Sequence, residues 1–203
     1  MTKYILVGGY PHKAPDWGRS FCEELVKGFG EPVNILECLF SRPKESWNKA
    51  FSQDEEFFSK NLPMRKLNME LATPTRFIEQ LRLTNAIYFR GGNPLLLINT
   101  LKGIPGWQKE LGGKTVAGSS AGADIIAKYY YHLDELQLRD GLGILPLKVL
   151  VHYESDYNAP RIDWNKVCTE LKNYKENLPL LTLAEGQFEI RTIEGVGISG
   201  KDF

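Results

Sequence analysis

Three cysteines in 203 residues, Cys22, Cys38 and Cys168, are odd in number, widely spaced and without the C-x-x-C pairing that zinc or redox chemistry would use. They read as buried free thiols. An excess of charge of one sign is missing too: 25 Lys and Arg balance 25 Asp and Glu, so no global field draws the chain to nucleic acid or anionic lipid. No apolar run approaches the length of a membrane span, and Tyr4 to Val7 is too short for a signal-peptide core. The expected compartment is the cytoplasm. Gly8-Gly9-Tyr10 continues into neither G-x-G-x-x-G nor G-K-[ST], which argues against nucleotide binding there, and no His and carboxylate cluster has metal-ligand spacing. No repeat, low-complexity tract or Pro-rich linker divides the chain, so residues 1–203 read as one domain.

Against these absences stands an ordinary globular composition, 42% hydrophobic and 25% charged, in which short apolar runs alternate with runs of helical spacing. Strands are expected at Tyr4 to Val7, Val33 to Phe40, Met64 to Leu71, Ala86 to Phe89 and Thr115 to Ala117. A helix around Phe21, Leu25, Val26 and Phe29 follows the first of them. Further helices are expected at Glu45 to Lys60, with Trp47, Phe51 and Phe58 on one face, and at about Thr75 to Leu83, capped by Thr73 and Pro74. Two more are expected at Pro94 to Lys102 and Ala121 to Tyr130. Beyond them the pattern predicts a loop at Leu133 to Leu145, a strand at Val149 to His152 and a helix at Trp164 to Glu176. Short strands follow near Leu180 to Leu183, Phe188 to Thr192 and Val196 to Ile198, the last two as a hairpin turning at Glu194-Gly195. Such alternation implies an α/β fold with a mostly parallel sheet covered by helices.

Gly118-Ser119-Ser120-Ala121-Gly122 has the form G-x-S-x-G between an expected strand and an expected helix. Small neighbours allow the tight turn that lifts a central Ser above the sheet, so Ser120 is the candidate nucleophile. The first N–H groups of the helix, that of Ala121 among them, would face the space where an oxyanion forms. Arg90-Gly91-Gly92-Asn93 ends the preceding parallel strand, at the sheet edge where ligands collect. There Gly91 or Gly92 would let the backbone come close enough to add an N–H to the same oxyanion hole.

A serine hydroxyl needs a base, and the chain has only His12, His132 and His152. His12 lies in a Pro-rich turn and His132 in a polar stretch, both expected to be solvated loops; His152 closes a strand and is favoured. The imidazole needs an orienting carboxylate. Glu185 projects from the end of a short strand, while Asp134 and Asp140 would give the Ser, acid, His order of an α/β-hydrolase.

The strand and Gly-Gly-Asn turn at Ile87 to Asn93, the elbow with Ala121-Gly122-Ala123, His152 and Glu185-Gly186 together resemble the peptidase E family of aspartyl dipeptidases and, more distantly, the cyanophycinases. The resemblance implies a three-layer α/β/α fold related to class I glutamine amidotransferases. It also implies a Ser-His-Glu triad on Ser120, His152 and Glu185, with an oxyanion hole near Gly91, Gly92 and Ala121. The chain departs from that family where Arg90 replaces a third Gly, Ala184 a Pro and Leu150-Val151 an Asn-Pro, and where the basic segment after the His is reduced to Asn158 to Ile162. Asn93 and Arg161 are the candidate substrate-binding residues, Arg161 as the partner of a substrate carboxylate. The implied activity is hydrolysis of short peptides, with dipeptides carrying N-terminal Asp as one substrate class. An esterase or amidase of small molecules and a catalytically idle binding protein on the same scaffold are the alternatives. No metal or organic cofactor is expected, because the chain carries its own nucleophile and base. The expected partner is a short peptide substrate, with no nucleic acid and no membrane, in a monomer or homodimer.

Overall fold

Residues one apart on the first strands are both apolar, as they must be where both faces of a sheet are covered. The computed structural model describes residues 1–158 and 161–193 and shows this arrangement. Strands β1 (Thr2–Val7), β2 (Val33–Cys38), β3 (Leu67–Leu71), β4 (Ala86–Phe89), β5 (Thr115–Ser119) and β10 (Phe188–Ile193) form one sheet in the order β10-β1-β5-β4-β2-β3. All its pairings are parallel except that of β10 with β1. Ile5, Val7, Val33, Ile35, Ala86 and Tyr88 face one way and pack with Phe21, Cys22, Leu25 and Val26 of α1 (Arg19–Val26) and Phe58 of α2 (Trp47–Asn61). Leu6, Leu36, Cys38, Ile87 and Phe89 face the other way. They pack against α3 (Phe77–Arg82), α4 (Pro94–Lys102) and α5 (Ala121–Ile126). The result is three layers around a mostly parallel sheet.

A second sheet, β7-β6-β8-β9, continues the core on the α5 side. Its strands are β6 (Ala127–His132), β7 (Gln137–Asp140), β8 (Leu145–Leu150) and β9 (Leu180–Thr182), followed in sequence from β8 to β9 by α6 (Trp164–Asn173). Here the sequence expectations need correction. The helix expected to reach Tyr130 stops at Ile126, because Tyr129, Tyr130 and Tyr131 are better accommodated in a strand that pairs with β8. The expected loop from Leu133 contains β7, antiparallel to β6. His132 is not in a solvated loop: it ends β6, is buried, and its Nδ1 accepts from the Glu135 N–H. Strand β8 ends at Leu150, so His152 stands just beyond it. Thr73 does not cap α3 through its side chain; Gln80 Oε1 instead accepts from the Thr73 N–H. Cys22 and Cys38 are buried, but Cys168 is only partly so. The expected strand at Val196 to Ile198 and the turn at Glu194-Gly195 lie outside the described residues. Among the described residues no helix is long and apolar enough to cross a membrane.

Candidate active site

Parallel strands end side by side, so the residues that follow β1, β2, β4 and β5 meet at one edge of the large sheet. Ser120 follows β5 with φ 51° and ψ −114°, a conformation L-residues rarely adopt. The strain is fixed by two glycines. A Cβ on Gly118 would stand 2.3 Å from the Gly122 carbonyl oxygen, and one on Gly122 would stand 2.0 Å from that of Phe89. The Ser120 N–H donates to Val7 O at 3.0 Å, tying the turn to the end of β1.

His152 comes from the small sheet. Its N–H donates to Gly8 O at 2.7 Å, and its imidazole reaches Ser120 Oγ with Nε2 at 2.9 Å and Glu185 Oε1 with Nδ1 at 2.8 Å. An ionised carboxylate only accepts, so Nδ1 carries the proton and Nε2 is left to accept from the serine hydroxyl. Lys13 occupies the other carboxylate oxygen, Oε2 of Glu185. Tyr157 stacks on the imidazole at 4.5 Å with the planes 19° apart, and Tyr10 meets it edge-on at 5.4 Å. Burial lowers the His152 pKa below its ordinary 6.5; hydrogen bonding to Glu185 opposes that shift and the charge of Lys13 adds to it. For Glu185 burial acts upward, but the hydrogen bonds from Lys13 and His152 prevail and hold the carboxyl below its ordinary range. A neutral imidazole beside an ionised carboxylate is the state a general base requires.

Gly9, at φ 121°, explains why the chain turns so tightly after β1: a Cβ there would lie 2.3 Å from His152 Cε1. Gly91 packs against Ser120 less tightly, its hypothetical Cβ 3.2 Å from Ser120 Cβ. Ala121 is the buried first residue of α5, where N–H groups have no acceptor within the helix. These elements open onto a cavity of about 620 Å³. Gly91, Gly92, Asn93, Ser120 and His152 all line it. Asn93 spends its side-chain oxygen as the N-cap of α4, accepting from Leu95 N and Leu96 N. Arg161 is exposed and is not among the lining residues.

Asp134 and Asp140 do not touch the imidazole. Asp134 accepts from Tyr157 Oη at 2.7 Å, and Asp140 pairs with Lys175 at the surface. The lining also includes Arg42, Asp54, Arg90 and Tyr157. Nothing in the spacing points to Lys13, whose partner Glu185 is 172 residues away, or to Tyr157, although it follows His152 closely in the chain. Asp54 was detectable, because it interrupts the Ala50, Phe58 stripe of α2 at i+4 and is buried there.

A family model described as Peptidase family S51 matches residues 46–195, a span holding Ser120, His152 and Glu185. Among solved structures the chain is similar to a peptidase from an acI-B1 Actinobacterium, with 21% identity over 94% of this chain and 83% of that one and a TM-score of 0.67. It is also similar to a protein of Listeria monocytogenes EGD-e provisionally designated peptidase E, 18% identical over 96% of this chain and 100% of that one, with a TM-score of 0.62. At these identities the likeness is one of fold. No curated protein sequence matches the chain.

Proposed function

This chain belongs to peptidase family S51, and from that premise we propose that it hydrolyses short peptides through an acyl-enzyme on Ser120. The observation that carries the reading is the continuous relay from Ser120 Oγ to His152 Nε2 at 2.9 Å and from His152 Nδ1 to Glu185 Oε1 at 2.8 Å. His152 takes the hydroxyl proton as Ser120 attacks the scissile carbonyl, and Glu185 stabilises the imidazolium that forms. The N–H groups of Gly91 or Gly92 and of Ala121 receive the oxyanion. Collapse of the tetrahedral intermediate breaks the C–N bond while His152 gives its proton to the leaving amine. Water, deprotonated by the same imidazole, then releases the acid and restores Ser120.

Dipeptides with N-terminal Asp are the first substrates to test, because the motif resemblance points to them. A panel of dipeptides set against p-nitrophenyl esters measures the preference between amide and ester. Wild-type protein is expected to turn over peptides, and Ser120→Ala to lose on the order of 10⁶-fold in rate. Ser119→Ala should be far milder. Hydrolysis by Ser120→Ala within tenfold of wild type would overturn the reading, and turnover of esters alone would make the chain an esterase.

A further inference from the structure

A half-buried guanidinium at a cavity wall with no carboxylate in contact is costly unless a ligand supplies the charge. Arg42 is in that position. Its loop leaves β2 and is stitched to the Gly91-Gly92 turn by hydrogen bonds from Arg90 N to Cys38 O, Asn93 N to Ser41 O and Ser41 Oγ to Arg90 O. Arg42 Nε donates to Gly91 O at 2.9 Å, which fixes the guanidinium next to the residue that packs on Ser120. Among the described residues no carboxylate lies within ion-pair distance of Arg42.

The carboxylate that lines the cavity on this side is already engaged: Asp54 Oδ2 lies 2.8 Å from Arg90 Nε. Glu37, wholly buried behind them on β2, does not add a second negative charge, since burial and then the neighbouring Asp54 push its carboxyl up to about 11. Arg42 is itself shifted below its ordinary range, first by burial and then by the charge of Arg90. Burial pushes the hydroxyl of Tyr88, which also faces Arg42, up from its ordinary value, so that group adds no negative charge. Asp54 is in contact with Arg90 and not with Arg42, so of the two arginines here it is Arg42 that has no acidic partner among the described residues.

We propose that Arg42, backed by Arg90, binds a carboxylate of the substrate beside Ser120, either an acidic side chain or the C-terminal carboxylate of a short peptide. The proposal rests on the peptide reading of the same site and moves the carboxylate partner from Arg161, which is not at the cavity, to Arg42. Nη1 and Nη2 of Arg42 remain for a bidentate grip while Nε stays on Gly91 O.

Binding to Ser120→Ala, which cannot turn over, tests it without depending on catalysis. Calorimetry with Asp-Leu, Asn-Leu, Asp-Leu-amide and Asn-Leu-amide separates the two sources of carboxylate. Loss of one of them should weaken binding about tenfold to 100-fold. Side-chain recognition shows in the Asp to Asn step and end recognition in the amidation step. Adding Arg42→Gln should erase that discrimination, Arg42→Lys should keep part of it and so exclude misfolding as the cause, and Arg161→Met should leave it intact. Equal affinity for all four ligands, or discrimination that survives Arg42→Gln, overturns the proposal. Failure of the wild-type protein to hydrolyse these peptides would count against the peptidase reading and leave the binding result standing.

Discussion

The two sheets hold their parts of the proposed active site by different physics. In the large sheet Ser120 is placed by backbone packing alone: Gly118, Gly122 and Gly91 bring main chain so close that no side chain has to act. In the small sheet His152 and Glu185 lie beyond the ends of β8 and β9 and are placed by partners, namely the Gly8 carbonyl, the Tyr157 ring and the Lys13 ammonium. A nucleophile built by sterics tolerates changes of charge but not of volume. A base built by partners should show the reverse, losing activity in proportion to how directly each partner is touched.

The largest effect within the partner-built half is expected from Glu185→Gln. The amide no longer stabilises the imidazolium and can favour the wrong tautomer, a change comparable to one costing about 10⁴-fold in a serine protease. Asp134→Asn, which is linked to His152 through Tyr157 and by charge without touching it, should cost a fewfold at most, and Asp140→Asn, a surface partner of Lys175, nothing measurable. Steady-state rates of the three variants rank them, and a larger loss from either Asp than from Glu185 would break the relay.

Gly9→Ala sharpens the comparison, because there the large sheet restrains the base by volume. A Cβ within 2.3 Å of the imidazole at φ 121° must move the ring. Displacing a catalytic group by about 1 Å costs about 10²-fold. The loss should fall on kcat while the protein still folds, as a thermal melt would report.

A smaller effect than that of Gly9→Ala is the most specific. His152 must be neutral to act, so the rate falls as pH drops through its folded pKa; since burial lowers that pKa, activity should persist below the ordinary 6.5. Lys13→Met removes a positive charge that helps hold the pKa down. The acid limb of the kcat/KM profile should therefore move to higher pH, with a loss of about tenfold on the plateau. Lys13→Arg should restore both, and an unmoved limb would show that Lys13 does not act on the relay.

The same division decides what could be read from the chain. The boundaries of β4 and α4 follow from the Ala86 to Phe89 run and from Pro94 at the first helical position, both local signals. Ser120 was legible for the same reason, since its turn is specified within five residues. The stretch from Ala127 to Asp140 was not, because a strand at Tyr129 to Tyr131 exists only through its pairing with β7 and β8. His152 and Glu185 were identifiable by type and by position near strand ends, whereas Lys13 reaches the site only when the two sheets meet, and Arg42 and Tyr157 only through loop conformations that no local pattern announces.

Whether Ser120 of one sheet is activated by His152 of the other is tested most directly by the rate of fluorophosphonate labelling, followed by intact mass and peptide mapping. One adduct is expected, on Ser120, absent in Ser120→Ala and formed orders of magnitude more slowly in His152→Ala. An adduct on another residue, or an unchanged rate in His152→Ala, would contradict the account.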